Sequence, residues 1–248
     1  MMKKIVLIMA AFSLCGPLYA QNTAAEPELI NGVMNGNAPS DAIVLFDGSN
    51  LDSWLIASSE EAARWEISDG AMTVRRGAGT MKTKRRFGDI QLHVEWRPTA
   101  EIEGDGQSRG NSGIFLNSLY EVQILDSWQN PTYPNGQAAS IYLQHTPLVN
   151  VAKPPGQWQS YDIIFKAPVF AANRTLLSPA YVTLVHNGVV VQNNVEILGS
   201  TFTEEPEYST RCVPYSQERE TDCSGRMPIT LQDHGQVVSF RNIWVREL

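Results

Sequence analysis

Glu121, Gln123 and Asp126 stand close together in the stretch NSGIFLNSLYEVQILDSW, residues 111–128, otherwise an apolar run. Period-two alternation in YEVQILD sends Tyr120, Val122 and Ile124 to one face and Glu121 and Gln123 to the other. Asp126 falls on the apolar face unless an extra residue intervenes, so a bulge at Ile124-Leu125 is expected to turn it back beside Glu121 and Gln123. DIQLHVEWR divides in the same way, Leu92, Val94 and Trp96 against His93, Glu95 and Arg97. For either strand alone, a solvated surface is the simplest reading of the polar face. Taken together the groups suggest a hollow that meets a ligand, with Glu121 close to Glu95. Neighbouring carboxylates raise one another's pKa, which is what a general base working near neutrality requires.

Short strands must position these groups. WEISDGAMTV forms a hairpin across Asp69-Gly70, and YVTLVHNGVVV repeats the device at Asn187-Gly188. DIQLHVEWR, GIFLNS, YEVQIL, QSYDIIF and VSFRNIWV add further strands, at least nine in all, with no long helical period between them. The pattern predicts an all-β, two-sheet sandwich or jelly roll. Trp54, Trp65, Trp96 and Trp244 lie in strand patterns and are expected in its core, whereas His186, beside the Asn-Gly turn, reads as a turn or surface residue. Insertions at 99–110, 171–179 and 203–228 are long enough to carry function or to be decoration.

The chain has 248 residues, 43% of them hydrophobic, which suffices for a buried core and argues against global disorder. MMKKIVLIMAAFSLCGPLYA, residues 1–20, has the basic start, short apolar run and small-residue exit of a secretory signal peptide. Its apolar run falls short of the ~20 residues a spanning helix needs, and no later segment reaches that length. Residues 21–40 read as a flexible linker and 41–248 as a single sandwich domain. Cleavage would remove Lys3 and Lys4 but no acid, taking the net charge from −7 to −9. That balance disfavours nucleic acid and anionic membranes as partners. Cys212 and Cys223 would remain, and in an oxidising periplasmic or extracellular setting they are expected to form a disulfide; a two-cysteine metal site lacks further soft ligands.

The spacing E-x-Q-x-x-D at 121–126 resembles the E-x-D-x-x-E strand of retaining β-glucanases built on a concanavalin-like sandwich. Gln123 cannot ionise and Asp126 is shorter than Glu, and both depart from a double displacement that needs two carboxyls about 5–5.5 Å apart. A broader resemblance runs through VLFDGSNLDSW (44–54), RGNSGIFL (109–116), YEVQILDSW (120–128), IYLQHTPLVNVAKPPGQWQSYDIIFKAPVF (141–170), HNGVVVQNNVEI (186–197) and LQDHGQVVSFRNIWVREL (231–248). Together these motifs resemble the 3-keto-disaccharide hydrolase family. The resemblance implies a concanavalin-like jelly roll of two antiparallel sheets, a periplasmic or secreted location, and action on glycosides already oxidised at C3. A separate sugar C3 oxidoreductase is implied as a partner, since no dinucleotide fingerprint occurs in the chain. QAASIY at 137–142 departs from the Gly- or Cys-containing turn common before Ile-Tyr in the family and is expected to alter one wall of the pocket.

A C3 carbonyl makes the C2 proton acidic, so a base can remove it, the C1 substituent leaves by elimination, and water adds to the product. Glu121 is the expected base, supported by Glu95. His145 or His234 would protonate the leaving group, and Lys153 would approach the developing oxyanion. Arg97, Asn111 and Gln123 would orient hydroxyls, with Asp126 beside them and Trp128 or Trp158 stacking on the sugar. The resident metal is left unknown and no cofactor is certain, although a hard divalent cation such as Ca²⁺ could sit among Glu95, Glu121, Asp126 and a histidine. Two other functions fit the same residues, a retaining β-glucan glycosidase and a non-catalytic carbohydrate-binding module.

Overall fold

The computed structural model describes residues 26–33, 36–201, 205–208 and 225–248. Two units separate by their internal contacts, residues 1–30 and 31–248. Of the first, residues 26–30 are described and form no regular element. The signal segment and the Cys212–Cys223 pair lie outside the described residues.

Among the described residues the second unit is built from strands and two short 3-10 turns, at Gly106–Ser108 and Pro134–Gly136. The strands in chain order are β1 (Ile43–Phe46), β2 (Trp54–Ile56), β3 (Glu66–Ser68), β4 (Ala71–Thr73), β5 (Met81–Thr83), β6 (Ile90–Pro98), β7 (Ser112–Leu116) and β8 (Tyr120–Ile124). They continue with β9 (Gln159–Lys166), β10 (Val169–Phe170), β11 (Leu176–Ser178), β12 (Ala180–His186), β13 (Val189–Ile197), β14 (Thr230–Leu231) and β15 (Val238–Glu247). An eight-stranded antiparallel sheet runs β13-β12-β9-β6-β15-β4-β3, with β1 also paired to β15, and a five-stranded one runs β2-β5-β14-β7-β8. β10, just before the 171–179 insertion, and β11, within it, form a separate ribbon. This is the all-β jelly-roll sandwich of two antiparallel sheets that the strand pattern predicts.

Both Gly-containing hairpins form, with positive φ at Asp69 and Gly70 and at Asn187 and Gly188, the geometry that suits the twist of paired strands. Alternation then decides the interior. Leu92, Val94 and Trp96 of β6 face Tyr120, Val122 and Ile124 of β8 across one buried core. Trp54, Trp65 and Trp96 lie in the core as expected, whereas Trp244 is buried outside that cluster, stacked on His93. His186 is not a surface residue: it is buried against Trp96 and Tyr161, and burial together with the charge of Lys153 pushes it down to about 3. The core therefore holds it as a neutral ring.

Candidate functional site

Because the two sheets pack with their apolar faces together, the polar residues of β6 and β8 point in opposite directions, out of the two sides of the sandwich. On the five-stranded sheet the register aligns Leu55, Lys82, Thr230, Phe115 and Glu121 in one transverse row across β2, β5, β14, β7 and β8. The chain after β8 folds back along that strand and extends the row. Ala139 donates to the Gln123 carbonyl, Gln123 to Ser140, and the Tyr142 N–H to the Glu121 carbonyl at 3.1 Å. Ala139 takes a φ of 69° in this return, where QAASIY pairs with the backbone of β8.

Glu121 is 3% exposed, although it stands on an outer face. Among the described residues none donates a hydrogen bond to its carboxyl, and burial alone pushes its pKa up to about 8. Room for the side chain comes from Gly113 on the neighbouring strand. A Cβ at that position would stand 2.5 Å from Glu121 Oε1 and 3.0 Å from its carboxyl carbon. Next to Glu121 the hydroxyls of Tyr133 and Tyr142 hydrogen-bond at 2.6 Å. Tyr133 is raised by burial first, then by Tyr142, then by the charge of Glu121, and so remains a protonated donor.

A polar relay leads away from this point. Gln123 Nε2 donates to Gln107 Oε1 at 2.9 Å and to the Gly136 carbonyl at 3.3 Å, while its own Oε1 is buried with no partner among the described residues. Gln107 Nε2 in turn donates to the Gly136 carbonyl at 2.9 Å. Asn111 Nδ2 donates to the Gln107 carbonyl at 2.8 Å, and its N–H donates to Gln236 Oε1 at 2.7 Å. The structure thus brings Gln123 and Asn111 together through Gln107 and Gln236, which together with Tyr133 and Tyr142 had no place among the candidates read from the sequence. Gln107 sits in the 99–110 insertion, and both tyrosines lie in or next to the returning edge segment; only the length of that insertion hinted at any of them.

Alternation does break at Ile124-Leu125, where regular β8 pairing ends. β7 and β8 pair without a register shift from Ser112↔Ile124 to Leu116↔Tyr120, and both Ile124 and Leu125 enter the core. Asp126 is reached only after the strand ends. Its Oδ2 accepts from Arg109 Nε at 2.7 Å and its Oδ1 from the Trp128 N–H at 3.1 Å. Arg109 also donates to the Trp128 carbonyl at 2.8 Å, so this buried ion pair fixes the turn that leaves Trp128 38% exposed.

Glu95 does not approach Glu121, for it lies on the outer face of the eight-stranded sheet. There Arg241 Nε donates to its Oε2 at 2.6 Å and Asn242 Nδ2 to its Oε1 at 2.9 Å. Burial would raise its pKa, but these two donors and the charge of Arg241 outweigh it and hold the carboxyl below its ordinary value. His93 Nδ1 pairs with Asp162 at 2.7 Å beside it. Arg97 is on the same face, over the ring of Trp158 at 4.6 Å, with Arg241 at 4.2 Å from that ring. Lys153 donates to the Trp158 carbonyl at 2.8 Å. His145 turns its Nε2 to the Glu196 carbonyl on β13 at 2.6 Å, and His234 is exposed on the turn after β14. The ligand set considered for a hard cation is therefore divided between two faces and a strand end, and among the described residues no three His, Cys, Asp or Glu side chains gather.

The fold and the site together define an antiparallel sandwich whose smaller sheet carries a buried carboxyl, uncompensated among the described residues, near a set of amides and tyrosines. Residues 41–246 match the 3-keto-alpha-glucoside-1,2-lyase-like domain, and the chain belongs to that family. A 3-keto-disaccharide hydrolase of Bacteroides thetaiotaomicron is 25% identical over 85% of this chain and 80% of its own length. A crystal structure of a proposed glycosyl hydrolase from Parabacteroides distasonis is 43% identical, with a TM-score of 0.80, over 92% of this chain and 95% of that one. A second proposed glycosyl hydrolase from the same organism, 17% identical over 84% of this chain and 94% of its own, shares the fold with a TM-score of 0.58.

Proposed function

We propose that the protein cleaves 3-keto-glycosides by removing the C2 proton, expelling the C1 substituent and adding water, with Glu121 as the base. The observation that carries this reading is the Glu121 carboxyl, buried without a hydrogen-bond donor among the described residues and held at about 8. A base of that strength is matched to a proton made acidic by a neighbouring ketone, whereas an ordinary carboxylate near 4 would be too weak. Membership of the family and the 3-keto-disaccharide hydrolase relative supply the substrate class.

In this scheme Glu121 takes the C2 proton and the electrons of the C2–H bond move into the C3 carbonyl, giving an enediolate. Tyr133, kept protonated by its surroundings, donates to the oxyanion. As the enediolate collapses, the C1–O bond breaks and Glu121 returns its proton to the leaving oxygen, so one carboxyl serves as base and then acid. Water then adds to the unsaturated ketone, and the balance is hydrolysis. Gln123, anchored through Gln107 and the Gly136 carbonyl, holds the amide bed beside Glu121 in place. A single carboxyl suffices here because no oxocarbenium ion has to be supported by two. The enzyme is further proposed to act after export, on substrate supplied by a separate C3 oxidoreductase.

The test is to incubate the protein with a 3-keto-glucoside and with its unoxidised parent and to follow aglycone release. Release from the keto substrate alone is expected. Release from the parent alone would point to a conventional glycosidase, and binding without release from either to a carbohydrate-binding module.

A further inference from the structure

Beside Glu121 two segments of the sheet edge come together, the 3-10 turn Pro134–Gly136 and the return at 139–143, whose Tyr142 N–H reaches the Glu121 carbonyl. They are clasped at several points. Asn135 binds Leu143 twice, its carbonyl accepting from the Leu143 N–H at 2.9 Å and its Nδ2 donating to the Leu143 carbonyl at 3.0 Å. Ser140 Oγ donates to the Pro134 carbonyl at 3.3 Å. Leu143 is held at a φ of 61°, a left-handed conformation that is unfavourable for any residue with a Cβ and persists only where the surroundings enforce it. The two tyrosines flank this clasp in sequence, Tyr133 before Asn135 and Tyr142 before Leu143. Gly136 seats the first of them. A Cβ there would collide with the Tyr133 ring, so the ring occupies the space of the missing side chain, and the Gly136 carbonyl is itself held by Gln107 and Gln123.

We propose that Tyr142 primes Tyr133 by donating its hydroxyl proton in a hydrogen bond to the Tyr133 oxygen, and that Asn135 is the positioning residue that keeps the two hydroxyls together. Tyr133 then turns its own proton outward to the oxyanion at C3. The proposal rests on the reading of Tyr133 as the oxyanion donor and gives that donor a direction and a source of strength. The hydroxyls are 2.6 Å apart, so one proton lies between the two oxygens and the other is left for a further partner. Tyr133 is 38% exposed and Tyr142 half-buried, so the outward proton belongs to Tyr133. A hydroxyl that accepts one hydrogen bond while donating another is polarised into a stronger donor. Both tyrosines remain phenols throughout, and Tyr142 touches no reacting atom.

A double-mutant cycle tests this, read by steady-state kinetics of the full chain on a 3-keto-glucoside. Tyr133→Phe is expected to lower kcat about a hundredfold, the scale of a lost oxyanion donor. Tyr142→Phe, which keeps the ring without the hydroxyl, should lower kcat about tenfold with KM within twofold, and should have no further effect once Tyr133 is replaced. Asn135→Ala should behave like Tyr142→Phe in both backgrounds; Asn135→Asp, of the same shape but unable to donate to Leu143, serves if the alanine variant does not fold. In Tyr142→Phe the pH at which kcat/KM rises should stay where Glu121 sets it. A general loosening of the site would let water reach that carboxyl and move the rise to lower pH, which would overturn the priming. So would a Tyr142→Phe kcat within twofold of the wild type, or losses in the two phenylalanine variants that multiply. A tenfold loss from Tyr142→Phe with none from either Asn135 variant would overturn the role of Asn135. Wild-type protein that cleaves the keto substrate, stops in Glu121→Gln and continues at full rate in Tyr133→Phe would refute the tyrosine pair and leave Glu121 in place. Wild-type protein that leaves the keto substrate intact would refute both.

Discussion

Glu95 and Glu121 occupy equivalent positions in two alternating strands, and the sandwich gives them opposite surroundings. On the larger sheet, Glu95 meets Arg241 and Asn242, beside a His93–Asp162 pair, and its charge is stabilised. On the smaller sheet, Glu121 is more deeply buried, receives no hydrogen bond from any described residue, and has its charge opposed. Alternation sorts residues by face but does not say whether a polar face is covered. The segment that folds back after β8 pairs with the backbone at Glu121 but leaves its carboxyl without a donor among the described residues, whereas what compensates Glu95 is a pair of residues almost 150 positions away. A carboxyl with satisfied partners stabilises a sheet, whereas one without them keeps its proton and can exchange it.

The largest effect separating the two faces is expected from Glu121→Gln, which preserves shape and removes the titrating group. Turnover of a 3-keto-glucoside should fall by about 10²- to 10⁴-fold, the usual contribution of a general base, with the near-UV circular dichroism unchanged. In the wild type kcat/KM should rise with pH through about 8, because only the ionised carboxyl accepts the C2 proton. A rate that is flat from pH 6 to 9, or a Glu121→Gln variant of normal activity, would remove Glu121 from the chemistry.

Next in size is Gly113→Ala. β7 is ordinary extended strand at this position, so the backbone tolerates alanine, and the damage comes from a methyl placed 2.5 Å from Glu121 Oε1. The carboxyl must swing away, and kcat is expected to drop about tenfold to a hundredfold, the scale of a displacement of about 1 Å. If the displaced group reaches solvent, the rise in kcat/KM should move to lower pH. A mere loss of stability would leave that profile where it was. Adding Glu121→Asp, which withdraws the acid by one methylene, should restore the melting temperature of the alanine variant without restoring the rate.

Stability should distinguish the faces as well. The folded-state pKa of Glu121 lies above its ordinary 4.5, so between these values the native state binds more protons than the unfolded chain, and stability falls as pH rises from about 4.5 to about 8. That span caps the loss at about 5 kcal/mol. Denaturant titrations at pH 5 and pH 8.5 should show the wild type losing stability over this range, with a smaller loss in Glu121→Gln. Parallel curves for the two proteins would mean that the carboxyl is ionised in the folded state without penalty.

The sandwich was legible in the sequence because turn chemistry and alternation are local: Asp69-Gly70, Asn187-Gly188 and the apolar halves of β6 and β8 all appear where the pattern puts them. The site was legible only within one strand. Glu121, Gln123 and Asn111 stay together because β7 and β8 are adjacent, whereas Glu95, Arg97, His145 and Lys153 required knowledge of which sheet each strand joins and which way its outer face points. Asp126 misled because E-x-Q-x-x-D reads as one face only with a bulge, and Arg109, 17 residues earlier, supplies a different reason for an acid there. Gly113 was visible in the quoted stretch, but its significance is the absence of an atom beside a residue on the next strand.

The smallest expected effect belongs to Glu95→Gln, the mirror of the first variant. The amide keeps an oxygen for Asn242 and Arg241 but loses the charge, and the Arg241 side chain, 42% exposed, regains water in exchange. Partly exposed ion pairs of this kind contribute about 0.2–1 kcal/mol, so the change in unfolding free energy should stay in that range and shrink at 1 M salt. Turnover of the keto substrate should remain within about twofold of the wild type, since β6 presents Glu95 to the side of the sandwich opposite Glu121. A loss of a hundredfold or more would mean that the substrate binds across the larger sheet, and it would move the active site from the amide-and-tyrosine bed to the arginine–tryptophan face.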